Sequence, residues 1–177
     1  MRYTIIVILI FLTSHVKGQS SAIEISGDIL QLAIPGGAFT STLIWAEEDY
    51  KGTWEVVKAG VVSTVATYGI KYIVNKERPN GESYAFPSGH TSRAFTGAAF
   101  IQRKFGWRYG APAYLLAGYT GWTRVHSGKH DYWDILGGAA VGIISAYIFA
   151  EPYQESDVRI GFFSHNNQYT LSLSYTF

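Results

Sequence analysis

Residues 123–138 read TRVHSGKHDYWDILGG, from Thr123 to Gly138. The stretch gathers Arg124, His126, His130, Asp131 and Asp134 directly ahead of an uncharged apolar run. A helix starting near Asp131 puts His130 at its entrance and Asp134 one turn further on, on the side facing His130. A carboxylate that orients an imidazole and raises its basicity prepares that ring for nucleophilic or acid–base chemistry. Arg124 could hold an anion within reach of it. The same residues also read as a capped helix start with solvated charges, so the rest of the chain has to decide.

Upstream, Lys71, Arg78 and Pro79 form K-x6-R-P. Their spacing is close to two helical turns, which could present both cations on one side. A lysine point charge and an arginine fork both suit a tetrahedral oxyanion, although two cations near a helix C-terminus also read as dipole-compensating surface charges. Pro87-Ser88-Gly89-His90 follows, in a loop running into a helix. Ser88 can donate its hydroxyl, Gly89 lets the backbone approach a ligand, and the free N–H groups of a helix start favour an anion. His90 would stand beside that anion, able to protonate a leaving group. Taken alone, PSGH reads rather as a serine helix cap followed by an incidental histidine.

The surrounding pattern predicts an all-α bundle of about five core helices with a C-terminal β-hairpin. From Gly27 to Glu47-Glu48-Asp49 the segment reads as a helix interrupted near Pro35-Gly36-Gly37. Trp54 to Lys76 is the clearest helix, stopping before Arg78-Pro79. His90–Lys104, Tyr109–Thr123 and Asp131–Ala150 supply three more, the last two with small residues that allow close approach. In the tail, Val158, Ile160 and Phe162 alternate, as do Tyr169, Leu171, Leu173, Tyr175 and Phe177, with Asn166-Asn167 between the runs. Period two around an Asn pair reads as a hairpin packed on the bundle, since two strands cannot close a barrel.

At 177 residues and a net charge of +1, the chain suits one domain and has no basic stripe for nucleic acid. Absence of cysteine excludes disulfides, thiolate catalysis and Cys-based zinc sites. Arg2, the apolar run Tyr3–Leu12 and the small-residue exit at Val16 and Gly18 have the shape of a secretory signal peptide cleaved after Gly18. The predicted organisation is therefore a signal peptide over 1–18, a helical domain over 19–156 and a hairpin over 157–177. The expected location is exported, periplasmic or membrane-associated. The apolar runs are diluted by Gly, Ser and Thr and mean hydropathy is near zero, which favours membrane contact over an embedded bundle.

Together, K-x6-R-P, PSGH and T-R-x5-H-x3-D, in this order from Lys71 to Asp134, resemble the three-part signature of the type 2 phosphatidic acid phosphatase superfamily. That family also contains bacterial acid phosphatases and vanadium haloperoxidases. The resemblance implies an all-α phosphatase acting on a phosphomonoester or pyrophosphate, either a lipid phosphate or a soluble ester. It implies that Lys71, Arg78 and Arg124 hold the phosphoryl oxygens, assisted by Ser88 and the Gly89 amide. His130 would form a phosphohistidine, Asp134 would orient its ring, and His90 would protonate the leaving alcohol and then activate water. No metal or cofactor is implied, because cations and amides supply the electrostatic stabilisation. Thr123 departs from the serine usual in the third motif, keeping the hydroxyl. Three rival readings remain. His126, His130 and Asp134 at i, i+4, i+8 could ligate a metal along one helix, vanadate could occupy the anion site for halide oxidation, and the aromatic tail fits a non-enzymatic outer-membrane or membrane-surface module. Oligomeric state is not legible.

Overall fold

The computed structural model describes residues 22–153, 158–165 and 168–175. The signal-peptide reading, 1–18, and the Asn166-Asn167 turn lie outside them. Five α-helices build the described domain: α1 (Ala22–Ile44), α2 (Lys51–Val74), α3 (Gly89–Phe105), α4 (Trp107–His126) and α5 (Tyr132–Phe149). A short 3-10 turn, Glu48–Tyr50, joins α1 to α2. The fold is all-α. Beyond it, the backbones of β1 (Val158–His165) and β2 (Gln168–Tyr175) pair antiparallel, with Ile160 opposite Leu173. Side chains of both strands lie outside the described residues, as does the expected packing of a hairpin on the bundle.

Local chemistry sets the helix ends. Asn75 terminates α2 in the left-handed region (φ 41), its N–H returning to the Lys71 carbonyl. Gly106, at φ 83, makes the sharp break between α3 and α4 that a side chain would strain. Ser88 caps α3, and Asp131 with Asp134 forms a reciprocal capping box at α5. The interruption expected near Pro35-Gly36-Gly37 does not occur. Helix α1 runs through Pro35, which costs one backbone hydrogen bond. Its backbone lies so close to Gly97 of α3 that a Cβ there would sit 2.6 Å from the Pro35 nitrogen, so tertiary packing holds the helix in one piece.

Helix α3 is the axis, packed against each of the other four. What it buries is mostly small: Ala94, Ala98 and Ala99 with Thr91, Ser92 and Thr96, Phe100 being the large exception. Hydroxyl pairs tie it to α2, Thr67 donating to Ser92 at 2.9 Å and Thr96 to Ser63 at 2.8 Å. At the far end Lys104 is buried between Glu47 and Glu55, which fixes the chain leaving α1. Large apolar side chains point outward instead: Leu32, Val65, Ile73, Leu115 and Trp133 are 64–84% exposed. A core of Ala, Gly, Ser and Thr inside an apolar exterior is how helices pack when the surroundings are as apolar as the side chains. Helix α5, 18 residues at mean hydropathy 1.4, is long and apolar enough to cross a membrane.

Gly142 marks the closest contact of α5 with α3, where a Cβ would meet the Ser92 carbonyl at 2.4 Å. Gly142→Ala should therefore cost about 1–3 kcal/mol. Gly60→Ala on α2, where nothing lies within 4 Å of the new Cβ, should be neutral or slightly stabilising. Thermal unfolding followed by helical circular dichroism checks both, and equal midpoints would rule out the close contact.

Candidate active site

One end of the bundle collects the C-terminal ends of α2 and α4, the N-terminal ends of α3 and α5, and the first turns of α1. Two helix N-termini at one place supply unpaired N–H groups and positive dipole ends, the ordinary setting for an anion. A pocket of about 250 Å³ opens here, lined by Lys71, Arg78, Gly89, His90 and His130. Tyr68, Tyr72, Ser83, Tyr84 and Arg93 complete its wall. Five of the eight residues singled out from the sequence thus share one cavity. Ser88, Arg124 and Asp134 are buried behind it.

His130 sits in the turn between α4 and α5, 4% exposed. Its Nδ1 lies 3.3 Å from Asp134 Oδ2, which leaves Nε2 as the nitrogen free for chemistry. Asp134 is fully buried and fully engaged: Oδ2 also accepts the Asp131 N–H at 3.0 Å, and Oδ1 accepts Lys76 Nζ at 2.8 Å. Burial first, and then the charges of Lys71 and Arg78, pushes the His130 imidazole well below its ordinary value, against the pull of Asp134. The ring is thereby kept neutral with a lone pair available at neutral pH.

The cations are held differently from the expectation of a single helical face. Lys71 lies in the last turn of α2 and donates to the carbonyls of Tyr84 (2.7 Å) and Ala85 (3.4 Å). Arg78 lies beyond the end of α2, in the loop, where Glu82 holds its Nη1 at 2.6 Å. Its Nε–H is buried without a hydrogen-bond partner among the described residues. The Ser88 hydroxyl serves as the α3 cap, accepting from Thr91, and its own proton stays available. Arg124 is 1% exposed and turned towards α1, donating to Asp28 Oδ1 at 2.8 Å and to the Glu24 carbonyl at 2.7 Å.

Three neighbours of the site went unseen in the sequence: Lys76, Asp28 and Arg93. Lys76 bonds Asp134 across 58 positions and Asp28 bonds Arg124 across 96, and no local spacing signals either contact. Arg93 follows His90 by one helical turn, a signal that could have been read. His126 ends α4 and stacks on Trp122 with ring centroids 5.0 Å apart. The single helix that a His126, His130 and Asp134 metal set requires is broken between Ser127 and Asp131.

Lys76→Met removes a charge-assisted bond from a carboxylate that cannot reach water. It should lower stability by about 1.5 kcal/mol, with Lys76→Arg recovering most of it in the same denaturation measurement. An unchanged midpoint would show that Asp134 does not depend on Lys76.

The family model described as the PAP2 superfamily matches residues 52–156. A lipid A 4'-phosphatase of Helicobacter pylori is 28% identical over 144 residues, which cover 75% of this chain and 71% of that protein. A lipid A 1-phosphatase of Porphyromonas gingivalis is 37% identical over 94 residues, 46% of this chain but only 21% of that much longer protein. The crystal structure of Aquifex aeolicus LpxE shares the fold, with a TM-score of 0.59 at 23% identity over 74% of this chain and 87% of that one. The matched segment runs from the start of α2 past the end of α5, the same stretch that contributes every residue lining the pocket, and the chain belongs to the PAP2 superfamily.

Proposed function

We propose that this PAP2 phosphatase hydrolyses the phosphate ester or pyrophosphate of a lipid through a phosphohistidine on His130, with no metal or cofactor. The observation that carries the reading is the pocket itself: Lys71, Arg78, His90 and His130 around a cavity of about 250 Å³, with the Arg78 Nε–H buried and unpartnered among the described residues. That is a place for one oxyanion beside a neutral imidazole. A cavity of this size suits the phosphoryl group and leaves the remainder of a large substrate outside.

The chemistry follows from the positions. The Nε2 lone pair of His130 attacks phosphorus as the bond to the leaving oxygen breaks; that oxygen keeps the bond pair and takes a proton from His90. Lys71 and Arg78 bear the charge on the phosphoryl oxygens, with Arg124, Ser88 and the Gly89 amide behind them. Asp134 stabilises the cationic ring of His130. Water then attacks phosphorus, giving its proton to His90, and the P–N bond pair returns to His130.

Two findings support a lipid. The outward apolar faces of the helices suit a bundle held in or against a membrane. The similar proteins of Helicobacter pylori and Porphyromonas gingivalis are lipid A phosphatases. The proposal includes export by residues 1–18, with the pocket on the non-cytoplasmic side.

Phosphate release from lipid A, phosphatidate, a polyprenyl diphosphate and nitrophenyl phosphate, measured in detergent micelles, tests the reading. A lipid substrate should exceed the soluble ester at least about tenfold in kcat/KM, a difference of about 1.4 kcal/mol in transition-state binding. Activity should survive chelation, be inhibited by vanadate and vanish in His130→Ala. Loss on chelation with recovery on adding zinc would transfer the activity to a metal mechanism, and a preference for soluble esters would remove the lipid.

The two histidines should also separate. His90→Ala should slow alkyl phosphate cleavage by about 10²–10⁴-fold, the usual worth of a general acid. In a single-turnover burst it should spare nitrophenyl phosphate, whose leaving group needs no proton. Equal losses with both leaving groups in folded protein would refute the assignment.

A further inference from the structure

Outside the three motifs and outside the family match lies Asp28, on the second turn of α1. Its Oδ1 is 2.9 Å from His90 Nε2 and 2.8 Å from Arg124 Nη1, so one carboxylate oxygen bridges a pocket histidine and the arginine buried behind the pocket. The placement is tightly determined. Arg124 Nη2 donates to the Glu24 carbonyl one turn earlier, and Lys129 pairs with the Glu24 carboxylate. Gly27 lets α1 come in, because a Cβ there would lie 2.0 Å from Thr123 Oγ1 and 2.9 Å from Arg124 Nη2. The next residue is delivered between α3 and α4.

We propose that Asp28 is a positioning residue for the general acid: its carboxylate fixes the His90 ring and stabilises it in the protonated form. This rests on the phosphatase reading above. The need for it is electrostatic. His90 is surrounded by Arg124 from α4, Arg93 from its own helix, Lys71 from α2, Arg78 from the α2–α3 loop and the neutral ring of His130. Burial first, and then the charge of Arg124, lowers the His90 imidazole to about 4 against the pull of Asp28, so the proton that a general acid must carry depends on that carboxylate. Asp28 is the carboxylate bonded to His90 among the described residues, facing its Nε2 where Asp134 faces Nδ1 of His130. With Nε2–H held by Asp28, the transferable proton is the one on Nδ1. It passes to the leaving oxygen as the P–O bond breaks, and the ring is left neutral.

The alternative is that Asp28 only braces Arg124, and leaving-group dependence distinguishes the two. Asp28→Asn keeps an oxygen that can accept from Arg124 and removes the charge. In single turnover it should slow alkyl phosphate cleavage by about 10–100-fold, part of the full contribution of a general acid. The nitrophenyl phosphate burst should stay within about threefold. The limb of the alkyl pH profile where activity falls as pH rises should move to lower pH by about one unit, and Asp28→Glu should return both rate and limb towards wild type. Equal losses with both leaving groups, or an unmoved limb, would overturn the proposal. In the wild-type protein, ¹⁵N-histidine spectra should show His90 protonated at Nε2 across the active pH range. A ring carrying its proton on Nδ1 alone overturns the proposal without any variant. If the wild type shows no His130-dependent phosphate release, the phosphatase reading itself has failed; if it does and Asp28→Asn behaves as wild type, only the role of Asp28 has.

Discussion

The carboxylate of Asp134 is the knot of the structure. It caps α5 through the Asp131 N–H, faces His130 Nδ1 and takes a bond from Lys76 at the end of α2, all with no exposure to solvent. Its backbone carbonyl accepts the Ser88 N–H at 2.9 Å, which fastens the loop before α3 to the start of α5. One buried residue therefore sets the mutual positions of the segments that carry the three motifs. A buried charge is tolerable only when its acceptor positions are filled, so the need to satisfy Asp134 is also what orients His130.

The packing around this knot obeys a different rule from that of an ordinary soluble core. The centre of the bundle is built of Ala, Gly, Ser and Thr, and helix backbones approach closely at Gly97, Gly138 and Gly142. Contact between helices then rests on van der Waals packing and hydroxyl hydrogen bonds more than on apolar burial. Two consequences meet at the catalytic end. Close approach aligns the N-termini of α3 and α5 at one pocket, and it leaves large apolar side chains free to face a lipid environment.

Charge is distributed with equal economy. The site concentrates Lys71, Arg78, Arg93 and Arg124 with two histidines, yet each cation is also tied to the protein, Lys71 to loop carbonyls and Arg78 to Glu82. Such anchoring fixes where these donors stand around the pocket. The buried Nε–H of Arg78 is the exception, with no hydrogen-bond partner among the described residues.

Much of this was legible in the sequence because it is local. Apolar spacing located the helices, those after α1 with ends within a few residues of those observed, and the motif residues named the family before any packing was known. The Asp131–Asp134 box and the His130–Asp134 pair lie within one helical turn, where spacing alone implies contact. What the tertiary structure decided is everything that crosses between helices. Pro35 reads as a break until Gly97 of α3 is seen beneath it. Arg124 reads as an open phosphate clamp until α1 supplies Asp28 and the Glu24 carbonyl. Lys76 and Asp28 carry no local signal, because contacts across 58 and 96 positions depend on which helix faces meet. Those faces are composed of interchangeable small residues, whose pattern along the chain marks a helix but does not name its neighbour.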